Sequence, residues 1–198
     1  MKEASGLFQT YGIKSVTMDD IASKLAISKK TIYQFFKDKD EIVTTCSKYL
    51  MEEQEREIHR IMGENADAIV QMLEISNYMK QRVRTMSPTL LYDLERYHPS
   101  AWACFQHHKH NCMAGELISI MKTGIAQGYF RKDIEVEILA KMRIEQVEMA
   151  FNQHIFPAHS FELSTVHIQF LDHFIRGLCT LKGLQHIEDY KKEDKTII

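Results

Sequence analysis

Apolar side chains recur three or four residues apart along most of the chain, and this spacing predicts about nine helices. Capping and breaking residues place their starts near Met1, Thr17, Ser28, Asp38, Asn65, Ser87, His98, Asp133 and Phe161. The later helices are longer, with predicted spans of 98–127, 133–154 and 161–183 and then a polar tail ending near Lys195. The pattern therefore predicts an all-α fold.

Two short helices near the amino end are joined by a tight turn. The second is predicted to run from Ser28 to about Phe36, with an apolar face formed by Ile32, Phe35 and Phe36. Its other faces carry Lys29, Lys30, Tyr33 and Gln34. The major groove of B-DNA, about 12 Å wide, admits one helix with long polar side chains. The arrangement predicts a helix-turn-helix whose second helix enters that groove.

Composition agrees with a helical fold and adds a difference in charge between the two ends of the chain. The 198 residues include 8 Gly and 3 Pro, too few for the turns of a multi-stranded sheet. Residues 1–50 hold 8 basic and 6 acidic side chains, net +2, and the remainder holds 17 and 21, net −4. A small basic head on a larger acidic body suggests two separate functions.

The location of the protein is predicted from features that the sequence lacks. No apolar run approaches the roughly 20 residues that cross a bilayer, and the first residues lack the apolar core of a signal peptide. The cysteines, Cys46, Cys104, Cys112 and Cys179, form no C-x-x-C pair, which is typical of reduced proteins. We therefore expect a cytoplasmic protein without a membrane partner.

Residues 17–42 read T-M-D-D-I-A-S-K-L-A-I-S-K-K-T-I-Y-Q-F-F-K-D-K-D-E-I. This segment resembles the DNA-binding segment of the TetR (tetracycline-repressor-like) transcriptional regulators, and the resemblance extends back through Ala4, Leu7, Phe8 and Gly12. It implies a helix-turn-helix domain over residues 1–44 and a helical regulatory and dimerisation domain over 45–198. Members of that family usually have several residues before the point where this chain starts, often including a basic residue that contacts the DNA backbone.

The resemblance also implies roles for seven side chains of the head. Those expected to hold phosphates of double-stranded DNA are Thr17, Tyr33 and Lys39. Those expected to face the groove are Lys29, Lys30, Thr31 and Gln34. Their chemistry agrees, because Lys can donate to guanine O6 and N7, Gln can bind adenine, and Lys and Tyr are good phosphate partners.

The last two long helices are apolar on more than one side. A stripe of Leu163, Val166, Phe170, Phe174 and Leu181 is widened by Leu171, Ile175 and Leu178. One chain would cover only part of so broad a surface, so we expect residues 133–154 and 161–183 to pair with their symmetry mates in a homodimer. Two heads about 34–36 Å apart would then fit successive major grooves of a palindromic operator. The alternative is a pair of core helices in a single chain.

A pocket for an unidentified small-molecule effector is expected between the fourth and eighth helices. The candidate lining combines adaptable, aromatic and polar side chains: Met86, Tyr92, Trp102, Phe105, Met121, Met149 and His154. Ordinary core packing is the alternative for each of them. With the head, this pocket predicts a dimeric, sequence-specific DNA-binding regulator, which the resemblance implies to be a repressor released from its operator by the ligand.

Other functions have weaker support in the sequence. His107 and His110 would share a helical face, but no third metal ligand is evident, so we predict no metal and no cofactor. Cys104 and Cys112 could sense oxidants, although inert thiols are the more usual case. A helical enzyme would use histidines with Glu145 or Glu148, yet no nucleophile, base and orienting group lie in register. A head that binds only a protein partner is a further alternative.

Overall fold

The computed structural model describes residues 1–193, and within them the backbone is helical apart from turns and one isolated bridge between Phe130 and Cys179. The helices are α1 Lys2–Tyr11, α2 Met18–Lys24, α3 Lys29–Ile32, α4 Lys39–Glu64, α5 Ala68–Val83, α6 Leu90–Tyr97, α7 Pro99–His108, α8 Ala114–Ala126, α9 Val136–Phe151, α10 Leu163–Leu178 and α11 Leu181–Glu193. A π-helical turn over Lys109–Met113 joins α7 to α8 without a break. The prediction of an all-α fold is confirmed.

No helix among residues 1–193 is long and apolar enough to span a membrane.

The helices of the head begin where the capping residues predict. Thr17 and Asp20 form a reciprocal capping box at α2, in which the Thr17 hydroxyl accepts from the Asp20 amide. The Ser28 side chain accepts from the Thr31 amide at α3, and the Asp38 carboxylate does the same for the Glu41 amide at α4. Local hydrogen bonds therefore set the starts of three consecutive helices.

The third helix is shorter than predicted. It ends at Ile32 and not near Phe36, because the amides of Gln34 and Phe35 bond carbonyls three residues back and tighten the chain into a turn. Ile32 is buried, as expected, but the Phe35 side chain is 75% exposed. Its assignment to the apolar face was therefore wrong.

Two helices of the body, α5 and α6, start later than predicted. Asn65 does not begin α5: its side chain bonds the Ile61 carbonyl at the end of α4, while the Asp67 carboxylate accepts the first amides of α5. The chain near Ser87 is a turn, because the Ser87 amide bonds the Gln9 carbonyl of α1, and Thr89 precedes α6. The later starts follow from these competing bonds.

The carboxyl-terminal helices also differ from the prediction. Helix α9 begins after Glu135 and ends at Phe151, short of residue 154. The single predicted helix over 161–183 is two helices, because the Arg131 amide bonds the Leu178 carbonyl and the Thr180 amide bonds the Tyr129 carbonyl, which interrupts the helical ladder. Residues 184–193 of the predicted polar tail are helical in α11, and the rest of that tail lies outside the described residues.

Buried apolar side chains form two clusters. One joins α5 to the helices from α8 onwards, around Phe130 and Leu178. The other contains the core of the head, around Phe8 and Ile42, and continues into α6 and α7 through Leu91. The predicted boundary at residue 44 falls inside α4, which runs from the head into the body.

The broad apolar surface of α10 is largely covered within one chain. Phe174, Ile175 and Leu178 are buried where α10 packs against α5 and α9. Leu163 and Phe170 of the stripe are only half-buried and Leu181 is 86% exposed, so one chain covers part of this surface, as expected. Exposed apolar side chains also lie on α9, where Ile138 and Met142 are 66% and 46% exposed.

Gly124 of α8 provides a test of this packing, because a Cβ there would overlap the ring of the fully buried Phe130. We expect Gly124→Ala to lower the free energy of unfolding by about 1–3 kcal/mol through overpacking. The matched control is Gly115→Ala on the same helix, where a Cβ meets no atom within 4 Å and helix propensity favours Ala by up to about 1 kcal/mol. Urea unfolding would measure both, and equal midpoints would contradict the expectation.

Candidate nucleic-acid interface and interior cavities

Most of the side chains predicted to contact DNA lie together on the outer surface of α2 and α3. Thr17, Lys29, Lys30, Tyr33 and Gln34 are exposed, and Thr31 is half-buried beneath them. Lys29 forms an ion pair with Asp19, at 3.1 Å, which links α3 to α2. Because both partners are well exposed, the pair is weak enough to exchange for a phosphate or a base.

Lys39 differs from the other predicted contacts because its side chain turns inward. Its ammonium donates to the Ile13 carbonyl at 2.6 Å and lies 6.0 Å from the centroid of the Phe8 ring. Burial lowers the pKa of Lys39, although the charge of Asp93 acts in the opposite direction. In this conformation Lys39 joins α4 to the turn after α1, and its ammonium would have to leave Ile13 to reach a phosphate.

Two further side chains extend the exposed surface beside α3. Phe35 projects into solvent, and the Lys37 side chain is 77% exposed with Asp38 at 4.0 Å. Neither was predicted as a contact: apolar spacing continues the helix to Phe36, and that continuation places Phe35 on the buried face. The early end of α3 was the missing information.

The head is held against the body by hydrogen bonds to two residues, Asp93 within α6 and His98 between α6 and α7. The buried Asp93 carboxylate of α6 accepts the Lys14 amide at 2.9 Å. His98 Nδ1 lies 2.8 Å from the Asp40 carboxylate at the start of α4. These two contacts connect α6 and the start of α7 to residues on both sides of the helix-turn-helix.

Two adjoining cavities of about 100 and 120 Å³ lie between α4, α5, α8, α9 and α10. Both are lined by Gln54, Met79, Met113, Val147 and His167. The lining is mainly apolar, and the second cavity extends towards α1 and α6. A cavity near 150 Å³ can hold one benzene ring, so each of these can accept a small apolar group.

The structure does not bring the seven predicted pocket residues together. Met86 and Phe105 line the second cavity. Met121 is fully buried in the core cluster around Phe130. The remaining four, Tyr92, Trp102, Met149 and His154, line a separate open groove at the end of α9. Helical periodicity identified apolar positions but could not separate these three environments.

Two buried basic side chains without complete hydrogen bonding face the cavities. Arg143 and His167 are 6% and 3% exposed, and neither Arg143 Nη1 nor His167 Nε2 has a hydrogen-bond partner. Burial lowers the pKa of Arg143 to about 10. Burial, with a smaller contribution from the Arg143 charge, lowers the pKa of His167 to about 3. The cavities therefore combine apolar walls with two unsatisfied donors or acceptors.

Glu145 and Glu148, the carboxylates that a helical enzyme would use, both contact a buried lysine. Lys109 of the π turn is 1% exposed, and its ammonium bonds both Glu145, at 3.0 Å, and Glu148 of α9. Glu148 also accepts from Gln106. The three charged groups hold the π turn against α9. Both carboxylates therefore have a structural role in this contact.

Comparison with known proteins agrees with this architecture. Residues 1–46 match the family model for bacterial regulatory proteins of the tetR family. The HTH-type transcriptional regulator YvaF of Bacillus subtilis is 32% identical over 91 residues, which make up 44% of this chain and 47% of that protein. The match thus spans about half the length of this relative.

Solved structures share the fold over nearly the whole chain. A TetR-family regulator from Agrobacterium tumefaciens matches with a TM-score of 0.73 at 16% identity, covering 89% of this chain and 94% of the other. A transcriptional regulator from Cytophaga hutchinsonii gives 0.69 at 18%, covering 90% and 96%. The fold is thus that of a helix-turn-helix regulator with a helical body. Residues 1–46 match the tetR family of bacterial regulatory proteins, and the solved structures show the same fold over the rest of the chain.

Proposed function

We propose that the protein is a dimeric, sequence-specific DNA-binding transcriptional regulator that acts in the cytoplasm as a repressor and leaves a palindromic operator when a small molecule binds. The observation that carries the proposal is the exposed face of the helix-turn-helix, where Lys29, Lys30, Tyr33 and Gln34 are all accessible. Side chains of these types bond phosphates and base edges. The match of residues 1–46 to the tetR family of regulatory proteins supports the same function.

The roles of the exposed residues follow from their chemistry. Lys30, which has no ion-pair partner among residues 1–193, is free to reach guanine O6 and N7, and Gln34 can bind adenine with two hydrogen bonds. Tyr33 and Thr17 hold the backbone through their hydroxyls, which fixes register without specifying sequence. Lys29 joins them when it exchanges Asp19 for DNA.

Homodimerisation is supported by the outer face of α9. Ile138, Met142 and Met149 are exposed at helical spacing along one side of it. A two-fold interface places the same stripe of the two chains in contact, so each apolar residue of the stripe is buried in both chains. Two heads of such a dimer would contact successive grooves of the operator.

The effector that fits the interior best is a small apolar monocarboxylate. An apolar body would fill the cavity volume, and its carboxylate would accept hydrogen bonds from Arg143 Nη1, the unsatisfied buried donor. Charge-assisted hydrogen bonds of this kind are about twice as strong as neutral ones. No acidic side chain among residues 1–193 lies within ion-pair distance of Arg143, so the ligand would supply the missing negative charge.

A ligand in the cavity has a short route to the head. Leu90, Leu91 and Leu94 of α6 line the second cavity, and Asp93 on the same helix holds the Lys14 amide. Helix α4 also lines both cavities and begins in the head at Lys39. A ligand that binds one arrangement of α4 and α6 more tightly would change the spacing of the two heads.

Selection of bound sequences from random DNA, followed by salt titration, tests the DNA-binding function. We expect Lys30→Ala to weaken the selected site by about 1–3 kcal/mol and Gln34→Ala to relax its sequence preference. Tyr33→Phe should weaken all sequences alike. The matched control is Lys141→Ala, because Lys141 is an exposed lysine of the body. No DNA retardation at low salt, or equal losses for Lys30→Ala and Lys141→Ala, would contradict the proposal.

A further inference from the structure

Five side chains of metal-ligand type meet between α4 and the continuous α7–α8 segment. Glu55 and His59 lie one turn apart on α4, and His108, Cys112 and Glu116 follow at four-residue intervals on the facing helix. The ligand atoms of Glu55, His108 and Cys112 all lie within 4.8 Å of one another, and so do those of Glu55, His59 and Glu116. Glu55 belongs to both groups.

The π turn over Lys109–Met113 lies in the middle of this cluster. Residues four apart drift around the axis of an α-helix, and the wider turn of a π-helix offsets that drift. His108, Cys112 and Glu116 therefore stay on the side that faces α4. Single π turns inside α-helices are frequent at functional sites, where they redirect a side chain.

His108 supplies an independent indication that a ligand is missing. The residue is 7% exposed, and its Nε2 atom has no hydrogen-bond partner. Glu116 Oε1 is also buried without a hydrogen bond, although His59 Nε2 lies 3.4 Å away. Buried polar atoms are normally satisfied, so two orphaned atoms in one cluster call for a partner that bonds both N and O.

The donor set points to a particular class of cation. Imidazole nitrogen, thiolate sulfur and carboxylate oxygen are the ligands of Zn²⁺, which prefers four of them in a tetrahedron. Bonds of about 2.0–2.3 Å in a tetrahedron separate neighbouring ligand atoms by about 3.3–3.8 Å. The ligand atoms of Glu55, His108 and Cys112 lie within 4.8 Å of one another, so these three need only small side-chain movements to reach that value. Glu116 lies within 4.8 Å of Glu55 and must turn towards His108 and Cys112 to join them.

We propose that Glu55, His108 and Cys112 bind one Zn²⁺ ion, with Glu116 completing the tetrahedron and His59 supporting Glu116 from the outer side. The ion bonds the free Nε2 of His108 and the free oxygen of Glu116, which satisfies both orphaned atoms. It also ties the middle of α4 to α7 and α8. The inference of a metal site depends only on this geometry. An effect of the ion on DNA binding would depend on the proposed function as well.

The test uses the full chain, freed of metal by a chelator and titrated with Co²⁺ as a spectroscopic substitute for Zn²⁺. We expect one ion per chain, a thiolate-to-Co²⁺ charge-transfer absorption band, and displacement of Co²⁺ by Zn²⁺. Cys112→Ser should abolish the band, whereas Cys104→Ser, which changes a half-buried cysteine outside the cluster, should leave it unchanged. His108→Gln and Glu55→Gln should each lower affinity by more than the roughly 10–100-fold that loss of a supporting residue costs.

Controls separate loss of the site from loss of the fold. His107→Gln and Glu52→Gln change exposed neighbours on the same helices and should bind Co²⁺ as the parent does. Circular dichroism of each metal-free variant checks that the helices remain. Absence of the band in the folded parent, or a band that survives Cys112→Ser, would overturn the site. DNA retardation measured on the same samples tests the proposed function separately, because its absence would leave metal binding intact.

Discussion

Replacing Met142 with aspartate is expected to convert the proposed dimer into monomers and to lower affinity for a palindromic operator at least about 100-fold. Met142 lies near the middle of the exposed stripe on α9, between Ile138 and Met149. A carboxylate there would lose water on association without gaining a partner, and two-fold symmetry doubles that cost. A monomer contacts the operator with one head, so it loses the gain in affinity of about 10²–10⁴-fold that two linked heads provide.

Sedimentation velocity at micromolar concentration measures the association, and retardation of whole and half operators measures its effect on binding. The matched control is Ser100→Asp, which places the same side chain on an exposed residue in the first turn of α7, outside both segments predicted to pair. An acidic residue at a helix start is favourable, so this variant should remain dimeric. A parent protein that sediments as a monomer while it binds the whole operator would exclude the interface on α9.

The sequence predicted the head well because local hydrogen bonds determine its structure. The caps at Thr17, Ser28 and Asp38 each involve residues three positions apart, so the pattern contains both partners. The prediction failed at the end of α3, where apolar spacing favours a longer helix and the chain turns instead. That turn exposes Phe35 on the surface that we propose for DNA.

The body was harder to predict because distant parts of the chain interrupt its helices. Near Cys179 the sequence offers only Gly177 as a weak helix signal, and the helix is interrupted by backbone bonds to residues 129–131, about fifty positions away. The π turn has no Gly or Pro to mark it. The sequence pattern therefore favoured His107 and His110 as candidates, whereas the structure turns His108, between them, towards Glu55.

The sequence predicted a pocket for an effector between α4 and the helix over residues 133–154, which corresponds to α9. Of its seven predicted residues, Met86 and Phe105 line the second interior cavity. The buried basic groups, Arg143 in the first cavity and His167 in both, were not predicted. Both occur on amphipathic helices where a polar residue normally faces solvent, and only the packing of α9 against α10 shows that they are buried.

Arg143→Met is expected to raise the free energy of unfolding by about 1–3 kcal/mol and to abolish the response to carboxylates. A buried guanidinium without an anion lowers the stability of the fold, and an apolar side chain of similar length removes that penalty. The same change removes the donor that the ligand carboxylate requires. Stability and ligand binding should therefore change in opposite directions, a result that ordinary damage to the core would not give.

Urea unfolding measures the first effect, and release from the selected operator measures the second. The ligand panel pairs carboxylates with alcohols of the same body, such as benzoate with benzyl alcohol and hexanoate with hexanol, because only the charged group differs within a pair. Lys141→Met removes a positive charge from the exposed side of the same helix and should change neither measurement. If the parent responds equally to both members of each pair, or Arg143→Met is destabilised while keeping the response, Arg143 has a structural role and the effector is not recognised by its charge.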